Sequence, residues 1–213
     1  MDQFEIYLNE LKDWNNKFNL TSITTDEDIR LKHFDDSLSL SKAYDFSQVA
    51  PSLIDIGTGA GFPGIPLKIK FPNIKLTLVD SVKKKTEFLK HIADILQLRD
   101  VEVIWGRAED IAKEKRETFD VATCRALADL RIAAELCLPF VKVGGVFIAM
   151  KAESVEEEIK NAQNAFSILG GSIEKTVGVN IGGMNRNLIV VKKATQSPEK
   201  YPRRAGMPEK RPL

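Results

Sequence analysis

The sequence predicts a doubly wound α/β domain. Its sheet would be mostly parallel and seven-stranded, with helices on both faces, one terminal antiparallel strand and a small helical lobe in front. Three observations predict this. From Leu53 onward, short apolar runs of strand type alternate with amphipathic helical segments. A glycine-rich turn follows the first of those strands directly. The last two strand-like runs have no helix between them, which implies an antiparallel pair.

The elements follow in order. Phe4, Leu8, Leu11, Trp14 and Phe18 recur at helical spacing and mark an amphipathic helix. A second helix is expected after Thr25, whose hydroxyl can cap it while Asp26, Glu27 and Asp28 complement its dipole. This helical opening ends near Tyr44. Leu53 to Ile56 is a buried strand, Ile65 to Phe71 a short helix closed by Pro72, and Leu76 to Val79 a second strand. Val82 to Leu96 reads as a helix, and Val101 to Trp105 and Phe119 to Thr123 as strands. A helix over Leu127 to Leu138 stops at Pro139. The pair Gly144-Gly145 reads as a turn into strand Val146 to Met150, and Val155 to Leu169 as a helix closed by Gly170-Gly171. Ile173 to Val179 and Leu188 to Val191 complete the sheet. The expected divisions are residues 1–48 for the lobe, 49–193 for the α/β domain and 194–213 for a basic, proline-rich tail.

The 213 residues are 43% hydrophobic and 29% charged, ordinary values for a soluble globular chain. Two cysteines, Cys124 and Cys137, and two histidines, His33 and His91, exclude a structural zinc cluster. Asp2 and Glu5 stand where a signal peptide needs positive charge, and the longest uncharged apolar run, Val143 to Met150, is too short for a bilayer. A cytoplasmic protein is expected, with a monomer as the default.

The net charge of +1 hides two opposite ends. Residues 1–50 hold ten acidic residues against five basic ones, whereas residues 192–213 hold seven basic residues against Glu199 and Glu209. Pro198, Pro202, Pro208 and Pro212 make the basic end extended rather than helical. Such a tail either neutralises nucleic-acid phosphates or simply keeps the chain soluble.

The glycine run Gly57-Thr58-Gly59-Ala60-Gly61-Phe62-Pro63-Gly64 lets the backbone approach a ligand closely. Its G-x-G-x-x-G match, Gly59 to Gly64, is a decoy. The first glycine after the strand is Gly57, two residues early, and the third stands beside Pro63. Asp55-Ile-Gly57-x-Gly59-x-Gly61 fits a cofactor without a pyrophosphate better, and S-adenosylmethionine (SAM) is one. Asp80 ends the second strand, where a carboxylate accepts ribose hydroxyls in either an NAD or a SAM site. Gly106 to Asp110 follows the third strand, at the place where a methyltransferase contacts adenine or where a plain surface loop would lie. Cys124, Arg125 and Ala126 stand at the carboxyl edge of the fourth strand, where open α/β sheets place their active sites. A doubly wound sheet finished by one antiparallel strand is the arrangement of Rossmann-like SAM-dependent methyltransferases.

The chain resembles the bacterial 16S rRNA guanine-N7 methyltransferases, the glucose-inhibited division protein B family, over nearly its whole length. The likeness rests on Trp14-Asn15 with Asn19 to Ser22, on His33 to Ser37, and on the loop from Asp55 to Leu67. It continues through Asp80-Ser81 with Lys83 to Lys85, Arg125-Ala126, Lys151, and the tail Tyr201 to Gly206. The tail resembles one branch of the family more than the others.

The resemblance implies methyl transfer from SAM to N7 of a guanine, guanosine-527 in conventional numbering, in 16S rRNA of the small ribosomal subunit. It implies that Gly57, Gly59 and Phe62 belong to the cofactor loop, that Ala108 and Glu109 form the adenine-side pair, and that Arg125 is the cofactor-site arginine. Asp80 would hold the ribose. Guanine N7 has an in-plane lone pair and no proton, so the reaction needs alignment rather than a general base. Arg125 and Lys151 are the candidate catalytic residues, as substrate-positioning groups acting on phosphate or on the guanine O6 edge. Cys124 could be a nucleophile of the cytosine-C5 type, but without a preceding proline or second motif cysteine it reads as a small core residue. His33 either touches RNA or caps the core of the lobe. Trp14 reads as packing, and Lys83 to Lys85 either steer RNA or form a solvated helix start. Other openings are methylation of another RNA or a small molecule, or an NAD- or nucleotide-binding protein that uses the loop otherwise.

Overall fold

The computed structural model describes residues 2–47, 50–152 and 155–213, so the expected boundary between residues 48 and 49 lies outside the described residues. Helix α1 (Gln3–Phe18) forms on the predicted apolar stripe and ends where Asn19 adopts a left-handed conformation. Helix α2 (Asp26–Ile29) starts as expected, with the Thr25 hydroxyl accepting from the Asp28 N–H. It runs on through a π-helical turn, Arg30–Asp35, into α3 (Asp36–Leu38) and a 3-10 turn, Ser39–Lys42.

From β1 (Ser52–Ile56) the chain alternates as predicted. In order come α4 (Gly64–Lys70), β2 (Lys75–Asp80), α5 (Lys83–Ile95), β3 (Val101–Trp105), α6 (Ala108–Ile111), β4 (Phe119–Arg125) and α7 (Leu130–Cys137). A 3-10 turn over Leu138–Phe140 leads into β5 (Val141–Lys151), followed by α8 (Glu156–Ile168), β6 (Gly171–Ile181), β7 (Met184–Lys193) and α9 (Met207–Lys210). The seven strands form one sheet in the order β3-β2-β1-β4-β5-β7-β6. Pairing is parallel from β3 to β5, and β7 runs antiparallel to both its neighbours, β5 and β6. The predicted antiparallel strand is therefore last in sequence but is inserted beside β5, leaving β6 at the edge.

Three expectations are corrected. Gly144 and Gly145 are not a turn before the strand but lie inside β5, which begins at Val141. A Cβ on Gly145 would come within 2.6 Å of the Asp120 carbonyl, so the glycine permits a strand irregularity that reads as a turn in sequence. The helix expected from Leu127 begins at Leu130, because the Asp129 side chain caps it by accepting from the Arg131 N–H. The tail is neither wholly extended nor solvated: α9 forms within it, and Tyr201 and Pro208 are buried. Proline at the second position of a helix lacks only an N–H that would have no partner there.

Two apolar clusters cover the sheet. One joins Tyr7, Leu8 and Leu11 of α1 with Phe34, Phe62, Phe88, Leu53 and Leu76, so the N-terminal helix shares a core with the sheet. The other joins Ile54, Ala122 and Phe147 with α7, α8 and Tyr201. Among the described residues no helix is long and apolar enough to cross a membrane.

Candidate active site

The loop after β1 is held by two carboxylates. Asp55 is fully buried, and its Oδ2 accepts from the Thr58 hydroxyl at 2.6 Å and from the Gly64 N–H at 2.9 Å. Its Oδ1 is the one buried side-chain polar atom without a partner among the described residues. Burial raises this carboxyl to about 6. At the end of β2, Asp80 Oδ2 accepts from the Gly59 N–H at 2.9 Å while Oδ1 accepts from Val82 at 2.8 Å. Gly57 and Gly59 both have positive φ, +68° and +63°. A Cβ on Gly57 would strike Leu127 at 2.5 Å, whereas one on Gly59 would meet nothing within 4 Å. Gly59 thus turns its bare backbone toward open space at the carboxyl edge of the sheet.

Phe62 is not an open loop residue. It is buried, with its ring stacked on Tyr7 and, at 4.3 Å between centroids, on His33. Of the two readings of the segment after β3, the plain surface loop does not hold: the segment contains α6, with both Ala108 and Glu109 buried. The Glu109 carboxylate is turned to the tail, where Oε1 accepts from the Gly206 N–H at 3.1 Å.

Arg125 ends β4 and is followed by Ala126 with φ +51°, a conformation uncommon outside glycine. The guanidinium lies over the Phe62 ring at 5.0 Å. Its Nη1 donates to the Lys32 carbonyl at 2.9 Å and to Asp36 Oδ2 at 3.0 Å, and Nη2 donates to His33 Nδ1 at 2.9 Å. Arg186, on β7, donates from Nε to the other Asp36 oxygen at 3.1 Å. The buried Asp36 carboxylate therefore joins two arginines from different strands. The π-helical turn and the residue that follows it place all three of Arg125's polar partners, and such turns recur at functional sites.

A neutral imidazole has one donor and one acceptor, so with Nδ1 accepting from Arg125 the Nε2–H donates to Thr21 Oγ1 at 2.8 Å. Burial, with Arg125 beside it, lowers the His33 pKa to about 4. His33 is thus the buried residue of the core reading, and it also lines the cavity described next.

Ile23, Lys32, His33, Asp36, Arg125, Ala126, Met150, Lys151, Ala152 and Arg186 line a cavity of about 410 Å³. Lys151 reaches the Ala128 carbonyl and Glu158 Oε1, each at 2.5 Å, so its ammonium is oriented from within the domain. The structure therefore brings Arg125 and Lys151 to one cavity, places Gly57 and Gly59 on the loop after β1 with Asp80 beside it at the end of β2, and puts Ala108 and Glu109 in α6 after the adjacent strand β3.

Cys124 is buried in the second apolar cluster together with Cys137, in the place of a small core residue. Trp14 packs on Phe18, Phe88 and His91. At the start of α5, Lys83 lies over Trp105 and Lys84 over Phe18. Tyr7 and Arg186 stand in no sequence motif. The only signal for Tyr7 is a hydroxyl placed in the apolar stripe of α1, three residues after Phe4.

Comparison with known proteins gives a consistent picture. A family model described as "GidB: rRNA small subunit methyltransferase G" matches residues 1–189. Two proteins named ribosomal RNA small subunit methyltransferase G, from Bacillus cytotoxicus and Acetivibrio thermocellus, are 47% and 48% identical to the whole chain, which spans 90% and 88% of their lengths. Among solved structures, TYW2 of M. jannaschii in complex with AdoMet is similar with a TM-score of 0.59 at 17% identity, over 74% of this chain and 76% of that one. A mutant form of MtNAS gives a TM-score of 0.61 at 16% identity, over 90% of this chain and 74% of that one. At such identities the structural likeness concerns the fold.

Proposed function

The chain belongs to the family of rRNA small subunit methyltransferases G, and from that premise we propose that it transfers a methyl group from SAM to N7 of a guanine in 16S rRNA, guanosine-527 in conventional numbering. When bound, SAM supplies an activated methyl group on its sulfonium. The observation that carries the proposal is the loop at Gly59. Its N–H is tied down by Asp80 while the face a side chain would fill is open, so the backbone is set for close approach by a ligand. Asp55 adds a buried carboxylate with one unpartnered oxygen beneath that loop, which suits a ligand carrying an ammonium group.

In this proposal Gly57, Gly59, Phe62, Asp80, Ala108, Glu109 and Arg125 form the cofactor site. Phe62 acts through the backbone it anchors, since its ring is packed inside. Asp80 faces the ribose, and the segment of Ala108 and Glu109 faces the adenine. The cavity beside Arg125 receives the guanine, and its volume of about 410 Å³ is within the range of small-ligand pockets. Arg125 and Lys151 position the substrate by offering donors from fixed side chains, which supplies orientation rather than proton transfer. His33, neutral and committed to Arg125 and Thr21, is not needed as a base, in keeping with a nucleophile that carries no proton. The cavity wall carries Lys32, Arg125, Lys151 and Arg186 against the one carboxylate of Asp36, which Arg125 and Arg186 share, and this excess of cations in the lining suits an RNA backbone. We place the activity in the cytoplasm, on the small ribosomal subunit.

The test is methyl transfer from labelled SAM to small subunits lacking the modification, followed by chain cleavage specific for 7-methylguanine. One labelled, cleavable site is the expected result. Label without cleavage would overturn the N7 assignment, and no label on subunits or free rRNA would overturn the substrate.

A further inference from the structure

The tail is fastened to the domain by more contacts than a solubilising segment needs. Where β7 ends, the fully buried Lys193 donates to the Leu138 carbonyl at 2.8 Å and to the Ser197 hydroxyl. Arg116 then grips three carbonyls, those of Tyr201 at 2.6 Å, Ser197 at 2.5 Å and Pro198 at 2.9 Å. Glu135, fully buried on α7, accepts from the Arg203 backbone N–H at 2.9 Å, from Nε at 2.8 Å and from Nη2 at 2.5 Å. A two-pronged pair of this kind fixes direction as well as position. Three residues on, Gly206 turns the chain at φ +79° and gives its N–H to Glu109 Oε1.

The positive charges that suggested a phosphate-binding tail are thus partly consumed within the protein: Arg203 by Glu135, and Lys193 by a contact of 3.4 Å with Glu117. The route ends at Glu109, one of the two residues proposed above to face the adenine. One oxygen of Glu109 is fixed by Gly206, which leaves Oε2 to accept from a second donor. A carboxylate held on one side reads an amine better than a free one, because its rotamer entropy is already spent.

We propose that residues 194–213 are a positioning strap. The Arg203–Glu135 pair fixes Gly206, and Gly206 orients Glu109 to select the exocyclic amine of the cofactor's adenine. The proposal rests on the SAM reading above. Arg203 and Gly206 are positioning residues, acting through Glu109.

The experiment compares affinities of the full-length protein for S-adenosylhomocysteine and for S-inosylhomocysteine, in which a carbonyl replaces the adenine amine. It uses wild type and the double variant Arg203→Met with Glu135→Leu, chosen because apolar replacement of both partners leaves no buried charge unpaired. The expected result is a wild-type preference for the adenine ligand that falls roughly tenfold in the variant, the size of a lost hydrogen bond to a charged group. Affinity for the inosine ligand stays unchanged. Arg203→Lys, which keeps charge but loses the fork, gives an intermediate preference and decides the question if the double variant does not fold. An unchanged preference, or affinities that fall together, overturns the strap. Wild type that binds neither ligand overturns the cofactor reading itself.

Discussion

The hydroxyl of Tyr7 on α1 donates to the carbonyl of Ala60 in the glycine loop at 2.5 Å, joining residues 53 apart. The same hydroxyl would lie 2.7 Å from a Cβ on Gly61. Tyr7 is fully buried, and burial lifts its pKa well above the ordinary phenol value, so it remains a donor across the working range. The N-terminal helix is therefore the floor on which the proposed cofactor loop rests.

Replacing Tyr7 with Phe keeps the stacked ring and removes only the donor. The Ala60 carbonyl is left buried, which costs about 1–3 kcal/mol. For a chain of this size that is a fall in Tm of roughly 2–4 °C per kcal/mol, read by calorimetry. Affinity for S-adenosylhomocysteine falls as well if the helix supports the loop. A variant that loses stability but binds unchanged would limit Tyr7 to the core.

Two buried groups give stability opposite pH dependences. His33 has a folded pKa of about 4 against 6.5, so between those values the unfolded chain holds a proton that the folded chain lacks, and stability rises with pH. Asp55 has a folded pKa of about 6 against 3.8, so there the folded chain holds the extra proton and stability falls with pH. Each effect is on the order of 3 kcal/mol, and between pH 4 and 6 they largely cancel. Denaturant titrations of Asp55→Asn should therefore show stability rising from pH 4 to 6.5. His33→Gln should show it falling from pH 4 to 6. Parallel curves for the two variants would contradict the assignment.

Asp36 holds Arg125 and Arg186 at once, and the consequences of cutting each link differ. Asp36→Ala leaves two partly buried arginines without their anion, a loss of about 3–5 kcal/mol of the kind seen when one partner of a buried pair is removed. Arg186→Met keeps the Arg125–Asp36 link and the cofactor loop intact. Its expected effect is a higher KM for ribosomal subunits, a shallower salt dependence and unchanged S-adenosylhomocysteine affinity. A fall in kcat alone would place Arg186 in alignment rather than capture.

The sheet was legible because strand and helix periodicities are local, and the missing helix between Val179 and Leu188 announced the antiparallel strand. The glycine loop was legible because Gly57, Gly59 and Gly61 all need positive φ. Less visible were the contacts that orient the site. Arg125 meets His33 across 92 residues, Arg186 meets Asp36 across 150, and Arg203 meets Glu135 across 68. Single-residue chemistry cannot pair charges over such separations. The tail misled for the same reason: its prolines and cations describe a solvated chain until Glu135 and Glu109 supply partners.

Two glycines in the same loop separate folding from binding. Gly61 has φ +102°, and a Cβ there would lie 2.7 Å from both Ile65 Cγ1 and the Tyr7 hydroxyl, inside the core. Gly61→Ala therefore combines backbone strain with overpacking, which costs about 1–3 kcal/mol for the packing alone, and it should lower Tm by several degrees. Gly59 has φ +63° but open space where the Cβ would go, so Gly59→Ala carries only the left-handed strain of about 1–2 kcal/mol. Its methyl group would occupy the face that the backbone otherwise presents to a ligand. The expected outcome is a folded Gly59→Ala protein whose S-adenosylhomocysteine affinity, read by calorimetry, is at least tenfold weaker. Affinity equal to wild type would move the cofactor off the Gly59 face, because a ligand in contact with that backbone cannot ignore an added carbon.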